Sequence, residues 1–307
     1  MKVDVSEIKT YRHCPRKWQY SSRNAFHFRP VVTPRHFTFG TIFHEALHQL
    51  YLGADPEKVL EWVKSQSDVE HNPGEAALQS MVKGYVEELL SSDLERYKIL
   101  EIEHHFERRI VPEISGISEE VKLCGSIDMI VLEEHPKDSE FPLLWGFEHK
   151  TCKNYRSGAY AKLDDQLRVY NWALYKYLGE LKEAHKVPQD TQVGGVVLNE
   201  TRKLLRKFEN HRQVYYEDRM SLWRYINGLS RITDDMRATS HDLKKFNINP
   251  EPCADFMSCQ MCEYNTICET YGSRLPGQNE ILQEFEGEFQ VRECDHLDEK
   301  VEREVMK

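Results

Sequence analysis

Residues 124–134, CGSIDMIVLEE, and residues 143–151, LLWGFEHKT, are short apolar segments that each carry an acid where a strand would turn it away from its apolar neighbours. In the second segment a period of two sets Trp145, Phe147 and His149 on one side, and Glu148 and Lys150 on the other. In the first, Ile127, Met129 and Val131 share a side and Asp128 takes the opposite one, after Gly125, which permits a close approach. Two such strands lying together would bring Asp128, Glu148 and Lys150 to one place.

The pattern outward from this pair is that of an α/β protein. Helical periodicity runs through Thr41 to Leu52, Pro56 to Ser65 and Glu75 to Leu94. From Ile99 to Val111 and from Val121 to Glu133 the pattern is strand-like, broken by Pro112 to Glu119. A helix is expected over Tyr160 to Leu178, a strand over Gln192 to Asn199 and a long helix from about Tyr216 to Ala238. The outcome is a mixed central sheet flanked by helices, without internal repeat or low-complexity linker. Four regions are expected: a helical N-terminal region 1–98, a core 99–245, a cysteine-rich segment 246–278 opened by Asn249-Pro250-Glu251-Pro252, and an acidic tail 279–307.

With 307 residues, 40% of them hydrophobic, the chain can bury a substantial core. No uncharged apolar stretch is long enough to span a bilayer, and the first twenty residues lack the apolar segment of a signal peptide. A soluble cytoplasmic protein with no membrane partner is expected. The net charge of −10 is unevenly spread. Residues 1–40 carry eight basic side chains against Asp4 and Glu7, a balance of +6, interleaved with Tyr11, Trp18, Tyr20, Phe26 and Phe28. Basic groups mixed with rings suit a strand-binding surface; a solvated helix with core aromatics is the plainer reading.

Two carboxylates supply hard oxygen ligands for Mg²⁺ or Mn²⁺, and a neighbouring ammonium can steady a pentavalent phosphate. The same three residues also make an ordinary strand-edge salt bridge. A rival motif is His44-Glu45-Ala46-Leu47-His48, a literal H-E-x-x-H that on a helix can present two imidazoles to zinc. Its extended form fails, since Tyr51 stands where glycine is needed, and a zinc protease would leave Asp128, Glu148 and Lys150 unexplained. A catalytically silent DNA-binding module is a third possibility.

Eight cysteines without export signals argue for reduced thiols or metal ligands. Cys259, Cys262 and Cys268 form a compact triplet that lacks a fourth ligand, for which Cys253 and Cys14 are available. Four cysteines suit an iron–sulfur cluster or zinc, although structural zinc sites usually pair two close cysteine knuckles, and only Cys259 and Cys262 form one here. Cys124, Cys152 and Cys294 read as packing residues.

The order Gly125-Ser126-Ile127-Asp128, then Glu148-His149-Lys150, then Gln166 to Tyr170 within a helix resembles the PD-(D/E)XK nuclease superfamily, in particular its RecB-like branch. The likeness extends to Gly40 through His44, matching G-x-x-x-H, and to Ser6, Tyr11, Cys14 and Pro15 near the N-terminus. It implies a restriction-endonuclease-like fold and a metal-dependent deoxyribonuclease, an exonuclease acting on DNA single strands or ends. By the same resemblance His44, Asp128, Glu148 and the carbonyl of His149 hold Mg²⁺ or Mn²⁺, and Lys150 contacts the attacked phosphate. Gln166 and Tyr170, four apart on one helix face, would lie over the site and guide the strand. Iron–sulfur members of the branch, such as CRISPR-associated exonucleases and helicase-nuclease subunits, carry one N-terminal and three C-terminal cysteines, so the resemblance implies a 4Fe–4S cluster on Cys14, Cys259, Cys262 and Cys268. No G-x-x-x-x-G-K-[ST] motif occurs, so unwinding would come from a helicase or recombination partner.

Overall fold

In the computed structural model residues 1–31, 35–66, 76–110, 121–156, 158, 164–241, 259, 262–272, 274 and 276–291 are described. The chain divides into two compact units, one built from the described residues of 1–33, 107–125 and 224–300, the other from those of 34–106 and 126–223.

The second unit carries most of a sheet. Its strands are the larger parts of β3 (Lys98–Arg109) and β4 (Lys122–Glu133), with β5 (Leu143–Cys152), β6 (Gln192–Arg202) and β7 (Asn210–Tyr215). β3 pairs with β4, and β4, β5, β6 and β7 follow in that order. β4 and β5 run antiparallel with Val131 opposite Trp145, and Met129 opposite Phe147 is their last pair. β5 and β6 run parallel, Lys150 opposite Glu200 and Cys152 opposite Arg202. A parallel pair needs a crossover, and α7 (Asp165–Glu183) supplies it, lying against both strands. The approach is close at Gly146, where a Cβ would meet the Leu174 side chain at 3.0 Å.

Over this sheet lie α3 (Arg35–Tyr51), α4 (Pro56–Gln66), α5 (Ala76–Tyr85) and α6 (Ser91–Arg96). The expected single helix from Glu75 to Leu94 is interrupted by a π-helical turn at Val86–Leu90. Phe43, Leu47, Leu50, Met81, Tyr85, Val131 and Phe147 fuse helices and sheet into one core. The crossover helix also starts later than its periodicity suggests, because Asp164 caps it, its carboxylate accepting the Gln166 N–H at 2.8 Å; residues 159–163 lie outside the described residues.

The first unit contains β1 (Lys2–Asp4), α1 (Val5–His13), α2 (Pro15–Ser21), β2 (Phe28–Pro30), much of α8 (Arg219–His241), α9 (Asn265–Tyr271), α10 (Gln278–Glu284) and β8 (Phe289–Val291). β1 pairs in parallel with Lys122 to Cys124, and β2 with β8 in antiparallel. Their core is aromatic: Tyr20, Phe26, Phe28, Tyr264, Phe285 and Phe289, with Ile267 and Ile281. Of the two readings of this segment, the rings follow the plainer one and pack in a core. Tyr11, Trp18, Tyr20, Phe26 and Phe28 are all at most 9% exposed, since burying a large ring gains about 2–3 kcal/mol over leaving it in water. The basic groups between them are engaged as well. Arg16 is 1% exposed, Arg23 pairs with Asp4 at 3.4 Å, and Lys17 with Glu263 at 3.5 Å. The first part of the acidic segment is no loose tail, because Ile281, Phe285 and Phe289 belong to this core; residues 292–307 lie outside the described residues.

Candidate active site

Where β4 and β5 part company, after the Met129–Phe147 pair, the side chain of Asp128 takes over the pairing: its Oδ2 accepts the main-chain N–H of His149 at 2.7 Å. His44, on α3, approaches the same oxygen with Nδ1 at 3.5 Å. Burial alone would raise the Asp128 pKa, but the bond to His44 and the nearby positive charge of Lys150 overcome it and hold the group down to about 2.

Glu148 is 1% exposed. Its Oε1 accepts from Gln166 Nε2 at 2.9 Å and pairs with the Lys150 ammonium, while Oε2 is buried without a hydrogen-bond partner among the described residues. Burial, then the Asp128 charge, raise its pKa to about 7 against the pull of Lys150. Gln166 Nε2 also lies 2.9 Å from the Tyr170 hydroxyl. The structure thus brings His44, Asp128, Glu148, Lys150, Gln166 and Tyr170 together.

His149 turns to the other face of β5, as the alternation requires. It is 1% exposed, and burial holds its pKa down to about 3, so the ring is neutral. Asn199 fixes its tautomer. Arg212 Nε can only donate, and it lies 3.1 Å from Asn199 Oδ1, so the Asn199 amide nitrogen faces His149 Nδ1 at 2.7 Å and donates to it. The imidazole proton therefore sits on Nε2. Tyr51 stacks on the ring at 6.1 Å and 29°. Behind these, Arg212 makes two bonds of 2.6 Å to Asp93, which also accepts from the Tyr51 hydroxyl at 2.6 Å. This buried network was invisible in the sequence, because its members come from separate elements.

The H-E-x-x-H helix sends its imidazoles to different carboxylates. His44 faces Asp128, whereas His48 Nδ1 lies 3.3 Å from Glu103, and Glu45 accepts from Gln49 at 3.0 Å. Among the described residues no three His, Cys, Asp or Glu side chains already form a metal-holding group. In the active site Lys150, Gln166 and the His149 N–H occupy carboxylate oxygens instead. The donors nevertheless suit a hard divalent cation: two carboxylates, an imidazole and a buried, unpartnered Glu148 oxygen.

In the first unit the thiols of Cys14, Cys262 and Cys268 lie within each other's electrostatic reach, and burial pushes Cys268 up to about 11. Cys14 ends α1 and caps α2, its sulfur accepting the Lys17 N–H at 3.4 Å. Cys259 stands one turn before Cys262, whose N–H donates to its carbonyl at 3.0 Å. Cys253 and Cys294 lie outside the described residues. Beside the thiols sits the buried Arg16 guanidinium, bonded to the Gly272 carbonyl, with Nε buried and unpartnered and no ion pair to a carboxylate among the described residues. The Gln19 amide is likewise buried, and both its polar atoms lack a hydrogen-bond partner among the described residues. A buried cation is costly unless an anion faces it, and these surroundings suit an anionic cluster ligated by thiolates. Cys124, pushed up to about 11 by burial, behaves as a packing residue.

Among the described residues no helix is long and apolar enough to cross a membrane. No curated protein matches the chain. The crystal structure of SSO0001 is similar over 90% of this chain and 88% of its own, at 16% identity and a TM-score of 0.35. Residues 3–269 match the sequence profile of the PD-(D/E)XK nuclease superfamily, and the chain belongs to that superfamily.

Proposed function

We propose that the chain is a Mg²⁺- or Mn²⁺-dependent deoxyribonuclease, an exonuclease acting on DNA single strands or ends. What supports this reading is the pair of carboxylates, the partly buried Asp128 held down to about 2 and the buried Glu148 pushed up to about 7, beside one ammonium. Their mutual repulsion is relieved when a cation joins them. His44, Asp128, Glu148 and the His149 carbonyl would hold it. When bound, such an ion polarises a scissile phosphate and acidifies a water. Lys150 would exchange its Glu148 partner for a phosphate oxygen, and Gln166 and Tyr170 would position the strand. Cys14, Cys259, Cys262 and Cys268 would hold a 4Fe–4S cluster that secures the first unit, with Arg16 as its counter-charge. A helicase or recombination partner would supply unwinding.

Oligonucleotides labelled at either end test this. Mn²⁺-dependent shortening from an end should be abolished in Asp128→Ala, Glu148→Ala and Lys150→Ala and kept in Glu45→Gln. Peptide cleavage lost with Glu45→Gln, and no DNA cleavage by the unaltered protein, would reverse the assignment.

A further inference from the structure

With the N-terminal rings buried and unable to stack on bases, the second unit offers a basic surface at the catalytic end of its sheet. β6 and β7 are joined by the hairpin tip Lys203-Leu204-Leu205-Arg206-Lys207-Phe208-Glu209. The parallel register sets Arg202 opposite Cys152, and the Lys203 N–H donates to the Cys152 carbonyl at 2.9 Å. At about 3.3 Å per residue the tip therefore begins roughly 7–10 Å beyond Lys150.

Residues 202–207 hold four basic side chains and no acid. Glu209 pairs with two of them, Arg202 and Lys207, each at 2.6 Å. Lys203, Arg206 and the adjacent Lys153 are exposed and have no carboxylate partner among the described residues, Lys203 resting over the Phe39 ring at 4.5 Å. Leu205 stands 55% exposed between them, an apolar tip kept in water. The hairpin is firmly seated: Phe208 fills the space over Gly84, where no Cβ would fit, and packs edge-on to Tyr85 at 6.3 Å. In a chain of net charge −10, three cations without a carboxylate partner among the described residues, on a fixed support beside the site, favour the approach of a polyanion.

We propose that this hairpin tip, with Lys153, receives the phosphate backbone of the DNA strand entering the Asp128–Glu148 site, Leu205 lying against a base or sugar. The inference rests on the nuclease reading and adds where its substrate is held. It is tested by fluorescence anisotropy of a labelled single-stranded oligonucleotide at low and at raised salt, with Ca²⁺ replacing Mg²⁺. Full-length Lys153→Glu/Lys203→Glu/Arg206→Glu should bind at least tenfold more weakly at low salt, and its log–log salt slope should be shallower by about 2, at ~0.7 for each phosphate no longer neutralised. Lys58→Glu/Lys64→Glu/Lys83→Glu, three exposed lysines of the same unit, makes the same charge change and should leave the slope alone. An unchanged slope in the hairpin variant, or equal flattening in both variants, would overturn the inference while leaving the nuclease reading standing. If the unaltered protein has no affinity for the oligonucleotide, both fail.

Discussion

Asp128 is bonded to the backbone of the residue that separates the other two members of its site: its Oδ2 accepts the His149 N–H at 2.7 Å, between Glu148 and Lys150. One carboxylate therefore has a structural and a chemical task, and two substitutions separate them. Asparagine keeps an acceptor for the N–H but loses the charge, so Asp128→Asn should melt near the unaltered protein and cleave no DNA. Asp128→Ala should lose activity and also about 1–3 kcal/mol of stability, the cost of a buried donor left unpaired. Equal melting temperatures for the two would show that the N–H bond contributes nothing.

Asn199 acts one step further back, by fixing the His149 ring on which the Glu148–Lys150 stretch is carried. In Asn199→Leu the Mn²⁺ dissociation constant, measured by electron paramagnetic resonance, should rise about tenfold or more. A lower melting temperature with unchanged Mn²⁺ affinity would reduce the network to a structural one.

Arg16 offers a test of the cluster that does not depend on nuclease activity. Protein purified without oxygen should be brown and contain iron and acid-labile sulfide, and Cys14→Ser should bleach it. Arg16→Met, which removes the buried counter-charge at similar volume, should lower the reduction potential and speed iron loss in air, because the more oxidised cluster carries less negative charge. Stoichiometric zinc in a colourless protein would dispose of the cluster, and an unshifted potential in Arg16→Met would dispose of the counter-charge.

Glu7 should make the first unit less stable as the solution becomes alkaline. Burial first, then the neighbouring Asp4 charge, raise its folded pKa from 4.5 to about 7. Between those values the folded protein holds a proton that the unfolded chain has released, so stability is full below about 4.5 and declines as pH rises through 7. Glu7→Gln preserves the capping pattern at the start of α1. Its gain in stability should therefore be small near the acid end of that window and about 1–3 kcal/mol above it. Melting curves on the two sides of the window decide it; equal gains would show that the proton is not involved.

Alternation in LLWGFEHKT was enough to separate Glu148 and Lys150 from His149, because successive side chains of a strand point to opposite faces whatever each face meets. β1, β2 and β8 left none, since three residues cannot display a period. β7 reads NHRQVY, where nothing marks Arg212 for burial, yet its guanidinium lies against the buried Asp93. Charge misled for a related reason. Arg16 and its aromatic neighbours resemble a solvent face until their partners, more than 200 residues away, are known. Local pattern records which face a side chain takes, and long-range pairing decides what that face meets.

The first unit is assembled from distant parts of the chain, and this has a consequence on the ribosome. Tyr20, Phe26 and Phe28 emerge early, but Tyr264, Phe285 and Phe289, which share their core, are synthesised more than 230 residues later. At about 5–20 residues per second the nascent N-terminal segment waits roughly 10–50 s with its rings uncovered. The second unit's described residues have by then been made in full, so the order of synthesis favours a nascent protein whose catalytic half is folded while its N-terminal rings still await their cover. During that interval the N-terminal segment is a natural client for a chaperone.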